Sequence, residues 1–245
     1  MNQTEKDLRI DLAACYRIFD FMGWSEMIYN HISVKLPGEQ EHFLLNPYGL
    51  HYSEVTAASL VKVDLRGNIV EETPHQVNQA GIIIHTAIHE AREDIACIGH
   101  LHTDAGMAVA CTKEGLRNDN FYSVLLAGQV AYHPFEGITV NPGEKERLVA
   151  NLGQADLLIL RNHGLLAGGK SIAEMFQKLW GLQRACEIQV ATDQTGRDIQ
   201  AIEKSVIESS QALLKMQMAG NDAGALEFAA FKRLVTAKDD SFIDL

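Results

Sequence analysis

Three histidines have the type and spacing to hold a metal ion. His100 and His102 stand two apart in the run IGHLHTD. In an extended strand, residues two apart leave the same face, so both rings can turn toward one cation. Imidazole is a good ligand for zinc and similar divalent ions, and this pair ends an apolar strand, where α/β folds place their sites. Two packed or surface histidines would satisfy the same spacing. His163 is the third candidate, in LLILRNHGLLAGG, where a polar Asn-His pair closes a strongly apolar run and Gly164 lets the backbone turn away. A turn with a solvated histidine fits that pattern equally. Three imidazoles leave one vertex of a tetrahedral ion open for water or a chelating hydroxy-ketone, whereas structural zinc sites are usually closed by a fourth ligand, often cysteine. Cys97 lies three residues before His100, an odd offset that puts it on the opposite strand face, so a purely structural site is disfavoured.

These residues need a scaffold. The first segment is apolar at Leu8, Leu12, Cys15, Ile18, Phe19 and Met22 with charges between, which predicts an amphipathic helix ending at Gly23 rather than a signal peptide. From His31 to Leu36, Ile32, Val34 and Leu36 alternate with polar residues; after Pro37-Gly38 an extended pattern resumes from Glu41 to Leu45, predicting a hairpin. A short helix is expected over Ser53 to Leu60, then two short strands from Val61 to Val70 around Arg66-Gly67-Asn68. Apolar steps of three and four predict a helix from Gln79 to Arg92. The histidine strand runs from Ile95 to His102, apolar enough to be covered on both faces, and a helix follows from Thr103 to Ala110. Val130–Tyr132 and Gly137–Val140 read as extended pieces, Glu144–Leu152 as a helix and Asp156–Arg161 as a buried strand. Ser171 and Glu174 have capping-box spacing before a long helix to about Ala191, and two helical segments finish the chain.

The whole chain bounds the answer. With 245 residues, 47% hydrophobic, it can bury a core as one α/β domain over 1–245, with no repeat or composition break. A net charge of −11 and no Lys/Arg cluster above two residues argue against nucleic acid as a partner. No apolar run approaches the roughly 20 residues that span a bilayer, so no membrane insertion is expected. The four cysteines are scattered among apolar neighbours, where a buried thiol is common, which fits a reducing, cytoplasmic setting.

Together NHISVKLPG, LLNPYGLHY, IHTAIHEAREDIACIGHLHTDAGMAV and LILRNHGLLAGGKSIAEMF resemble the class II aldolase/adducin family over about residues 5–190, with 195–245 as a helical extension. The resemblance implies an α/β/α fold with a central, mainly antiparallel sheet flanked by helices, commonly a homotetramer with sites near subunit interfaces. It gives His100, His102 and His163 the role of ligands to Zn2+ or another divalent ion such as Mn2+. In the aldolases a tyrosine from a neighbouring subunit donates a proton, and Tyr122 falls near the matching place.

The sequence also departs from the aldolases, which carry an acidic base nineteen positions before the first metal histidine. That position is Gly81, and no carboxylate lies between Glu72 and Glu90; NxAG is the pattern of the adducin-like branch. Of the residues that recognise phosphate in the aldolases, Asn30 and Gly49 remain as substrate-binding candidates, while the hydroxyl donors are lost, so a phosphorylated sugar is a poor substrate. His85, one turn after Gly81 on the same helix face, could transfer protons, with a structural part as the alternative; His89 reads as a surface residue, and Glu90, Glu93 and Asp94 as solvated. What the resemblance leaves is a metal-dependent lyase: aldol cleavage or decarboxylation of a small non-phosphorylated hydroxy/keto acid or sugar through a metal-stabilised enolate. Retro-aldol cleavage still requires an acceptor for the hydroxyl proton; decarboxylation does not. The alternative is a non-catalytic adducin-like head for oligomerisation or actin/spectrin-type binding, against which stands the acidic ending DDSFIDL where animal adducins carry a long tail with a basic end.

Overall fold

The computed structural model describes residues 1–38, 41–137, 142–218 and 222–245. Helix α1 (Gln3–Phe21) starts where the Asn2 side chain accepts the Glu5 amide and stops at Gly23, whose φ of +72° suits a glycine after a helix end. The hairpin follows as β1 (His31–Lys35) and β2 (His42–Leu45), then β3 (Val61–Asp64), α2 (Gln79–Ala91), β4 (Cys97–Leu101) and α3 (Asp104–Ala110). The second half is α4 (Phe121–Leu126), β5 (Val130–His133), α5 (Pro142–Leu152), β6 (Leu157–Leu160), β7 (Gly164–Gly169), α6 (Ile172–Gln194), α7 (Lys204–Met218) and α8 (Ala225–Thr236).

Among the described residues, seven strands form one sheet in the order β3-β2-β1-β4-β7-β6-β5, antiparallel at every step except β5–β6. Strand parity divides its faces. Ile32, Val34, Cys97 and Leu101 point into a core with Leu12, Cys15 and Phe19 of α1 and Met175, Phe176 and Leu179 of α6. Ile98, Leu158, Leu160 and Leu166 point the other way, against Ile84 and Ile88 of α2 and Leu148 and Leu152 of α5. Burial of each such side chain contributes about 1.5–3 kcal/mol, so both helical layers are tied to the sheet by its two-residue repeat. This is the mainly antiparallel α/β/α architecture expected.

Several local expectations need correction. Ser53–Leu60 is not a helix: a single 3-10 turn, Tyr52–Glu54, capped by His51, is followed by turns. The second strand of the 61–70 pair is reduced to one bridge between Val63 and Ile69. The run after His163 forms β7, paired with both β4 and β6, which the glycines of GLLAGG hid from a strand reading. Cys111 is exposed, unlike Cys15, Cys97 and Cys186. The extended piece expected at Gly137–Val140 falls largely outside the described residues.

The expected hairpin forms, with β1 and β2 antiparallel. The polar face of β1, which a free hairpin would give to water, lies beneath α2, with His31 6% and Ser33 0% exposed. His31 pairs in register with His100, so both project from the α2 side of the sheet on neighbouring strands.

Candidate metal centre

The end of β4 and the β6–β7 turn bring the three predicted histidines together. Asn162 turns that connection in the left-handed region at φ +57°, a conformation asparagine tolerates better than most residues, and the His163 amide donates to the Leu160 carbonyl. Gly164 permits the approach: a Cβ there would collide with the Leu101 carbonyl oxygen and press His102 Cδ2 at 3.0 Å and His100 Cε1 at 3.3 Å. The result is that His100 Nε2 lies 2.7 Å from His102 Nε2 and 3.3 Å from His163 Nε2. One nitrogen from each ring lies within 4.8 Å of the others.

The donor chemistry fits a divalent cation. His100 Nδ1 lies 2.9 Å from the Leu165 carbonyl oxygen, which can only accept, so the proton is on Nδ1 and Nε2 presents a bare lone pair. Ligands around a tetrahedral ion at the usual imidazole distance stand about 3.3–3.4 Å apart. The His100–His163 separation matches that edge, and a small rotation of the half-buried His102 ring would open its shorter one. Burial, with mutual repulsion, holds His100 well below the usual histidine pKa and His163 at about 4; burial also lowers His102. The rings are therefore neutral near pH 7, the state a metal requires.

His102 is also fixed through its backbone. Its amide donates to Asn30 Oδ1 at 3.1 Å, while Asn30 Nδ2 donates to the Trp24 carbonyl at 2.8 Å. Asn30 and His102 share an open polar depression of about 450 Å³ with Glu26, Asp104 and Glu187. Gly49 lies in the turn after β2 at φ +104°, with open space around it and no described contact to the histidines.

Beside Gly81 stands His31. A Cβ on Gly81 would fall 2.6 Å from both Cδ2 and Nε2 of the His31 ring, whose centroid is 5.0 Å from that of His100. His31 Nδ1 is 2.7 Å from His85 Nε2; His85 Nδ1 is 2.6 Å from Ser33 Oγ; Ser33 Oγ is 2.8 Å from His89 Nε2. His89 Nδ1 ends the row 3.4 Å from the Ile95 carbonyl oxygen. Burial lowers His31 to about 3 and His89 to about 4, and His85 well below its usual value, so all are neutral near pH 7.

His89 is thus no surface residue: it is 0% exposed. Glu90, Glu93 and Asp94 are exposed, as expected. Both ring nitrogens of His85 face His31 and Ser33 rather than a ligand space. Tyr122 lies against Trp180 in a separate apolar cleft of about 440 Å³ that reaches Leu157, the first residue of β6, whereas His163 follows the last. Sequence reasoning missed His31 and Ser33 as site residues. The available signal was the four-residue spacing of His85 and His89, which puts two polar rings on the α2 face that also carries Ile84 and Ile88.

Known proteins share this chain's pattern. Residues 10–190 match the family described as Class II Aldolase and Adducin N-terminal domain. A putative aldolase class 2 protein of Caulobacter vibrioides is 49% identical over 198 residues, 81% of this chain and 77% of that protein. Alpha-adducin of Rattus norvegicus is 52% identical over 194 residues, 78% of this chain but 26% of the adducin. The crystal structure of an aldolase II superfamily protein from Pseudomonas syringae superposes with a TM-score of 0.94 at 39% identity, covering 100% of this chain and 98% of that one.

Proposed function

The chain belongs to the class II aldolase/adducin family, and from that premise we propose that it is a divalent-metal-dependent lyase acting on a small non-phosphorylated hydroxy or keto acid or sugar. The observation that carries this reading is the convergence of three imidazole Nε2 atoms from β4, its end and the β6–β7 turn. When bound, Zn2+ or a similar ion such as Mn2+ supplies Lewis-acid stabilisation of the negative charge that develops on a carbonyl oxygen during aldol cleavage or loss of carbon dioxide.

The protein's own residues then have separable parts. His100 is oriented by the Leu165 carbonyl, and His102 by Asn30, so the ligand rings are held before anything binds. The missing carboxylate at position 81 leaves room that the His31 ring occupies. His85 acts behind His31 rather than on a substrate, since His31 and Ser33 engage both its nitrogens. Tyr122 would serve another copy's site in a homotetramer, because within its own chain it borders the far end of β6. The substrate enters from the polar depression beside His102 and Asn30; Gly49 has a part only if a ligand reaches across to the turn after β2.

The test is release of carbon dioxide or of an aldehyde from a panel of small 2-keto and 2-hydroxy acids and sugars, with the metal-loaded protein and with His100→Ala. Turnover by the first and its loss in the second are expected; equal rates in both would sink the reading.

A second reading, a non-catalytic head that binds cytoskeletal protein, draws on the 52% identity to alpha-adducin and on Gly81. That identity spans about a quarter of the adducin. Co-sedimentation with actin filaments separates the two readings: no pelleting above background is expected, and robust pelleting would favour the head.

A further inference from the structure

The row from His31 to the Ile95 carbonyl has a direction. A carbonyl oxygen only accepts, so His89 carries its proton on Nδ1, and its Nε2 must accept from Ser33 Oγ–H. The Ser33 oxygen, having donated its proton, accepts from His85 Nδ1–H; His85 Nε2 then accepts from His31 Nδ1–H. A neutral ring bears one N–H, so each step fixes the next, and the last atom, His31 Nε2, is left with a lone pair. Reversing the row would set the bare Nδ1 of His89 against the Ile95 carbonyl, two acceptors facing each other in a site with no exposure at His89. The three rings and Ser33 are all buried, which keeps water from substituting for any member.

We propose that this buried row locks His31 as the Nδ1–H tautomer and makes its Nε2 the hydrogen-bond acceptor for a hydroxyl of a ligand held at the neighbouring histidine cluster. The placement supports the role. The Cδ2–Nε2 edge of the ring abuts the point where a side chain at position 81 would begin, and the ring lies next to His100. The three converging nitrogens belong to His100, His102 and His163, so His31 is set beside that cluster rather than within it. A ligand that offers a carbonyl or carboxylate to the cluster would meet His31 with whatever group is next along its carbon chain. An acceptor there selects a free hydroxyl and disfavours an ether or another acceptor. His31 is thus a specificity-determining residue, while His85, Ser33 and His89 are positioning residues that act through it.

The ligand part of this inference rests on the metal-lyase reading; the tautomer part does not. Nitrogen-15 spectra of histidine-labelled, metal-free protein, assigned by single substitutions, read the tautomer directly. Nδ1–H is expected for His31, His85 and His89, and a proton on His31 Nε2 would overturn the proposal. Ser33→Ala removes the link between His85 and His89; His31 should then show mixed tautomers, and Ser33→Thr, which keeps the hydroxyl, should restore one. If the alanine variant does not fold, the wild-type spectrum still decides. Glycolate and methoxyacetate, titrated into Zn2+-loaded protein, test the role: wild type should prefer glycolate by about tenfold, one hydrogen bond's worth, and Ser33→Ala should lose most of that preference. No preference in wild type, or the same preference in Ser33→Ala, would refute the role of His31. Failure of Zn2+ to bind would instead refute the lyase reading, and leaves the tautomer measurement standing as a separate result.

Discussion

Gly81→Ala tests the packing of His31 by the sign of its effect. In an open helix position, replacing glycine with alanine stabilises by about 1 kcal/mol, because alanine loses less backbone freedom on folding. At position 81 the new Cβ would stand 2.6 Å from two atoms of the His31 ring. Either α2 moves off the sheet or the ring rotates. Forcing an extra carbon into packed surroundings costs about 1–3 kcal/mol. Rotation instead breaks the 2.7 Å bond to His85 and leaves a buried ring nitrogen unpaired, which also costs about 1–3 kcal/mol. Setting either cost against the helix gain leaves a net destabilisation of about 1 kcal/mol, or roughly 2–4 °C in melting temperature for a chain of this size. Gly181→Ala is the control, since its Cβ would meet only Leu126 Cδ2 at 3.9 Å, ordinary contact, and should raise the melting temperature by about 2–4 °C. Differential scanning calorimetry of both variants with chelator present measures the contrast. If Gly81→Ala stabilises the protein as Gly181→Ala does, the His31 ring does not occupy that space and the reasoning fails.

Gly164→Ala would drive a Cβ into the Leu101 carbonyl and against two ligand rings, so a stability loss of about 2–4 kcal/mol and a drop in metal affinity of about 10–100-fold are expected; wild-type affinity in a calorimetric titration would contradict this. Acidification should weaken the metal-free fold. Unfolded histidines take up protons near pH 6.5, whereas burial keeps His89 and His163 at about 4 and His31 at about 3, so the unfolded chain binds more protons as pH falls through 6.5. Urea midpoints in chelator should be flat from pH 8 to about 6.5 and fall below it, and a midpoint that rises on acidification would contradict the buried neutral rings.

The helices and most strands were legible because burial imposes period: Ile84 and Ile88 mark the sheet-facing side of α2, and Leu157–Leu160 is apolar on both faces because both are covered. The clustering of the three histidines was legible for the same reason, since two-residue spacing decides facing whatever the neighbours are, and the family resemblance joined His163 to the pair. What stayed hidden depends on contacts between distant segments. His31 and Ser33 were passed over because alternation reports that a strand has two unlike faces but not what covers the polar one; α2 arrives some fifty residues later. His89 was misplaced on the surface for that reason. The strand after Gly164 was hidden because glycines have no side chain to pattern, although close approach to Leu101 is what requires the first of them. Cys111 was assumed buried from apolar neighbours, yet it caps α3 at a loop.

Metal content is the most direct test of the account. Protein purified without chelator, or reloaded with Zn2+ or Mn2+ and desalted, should carry about one divalent ion per chain by elemental analysis. His100→Ala and His163→Ala should each lose it while keeping a cooperative melt. A wild-type protein that holds no stoichiometric ion at neutral pH, or a His100→Ala variant that holds it as tightly as wild type, would contradict the claim that these three rings form one metal site.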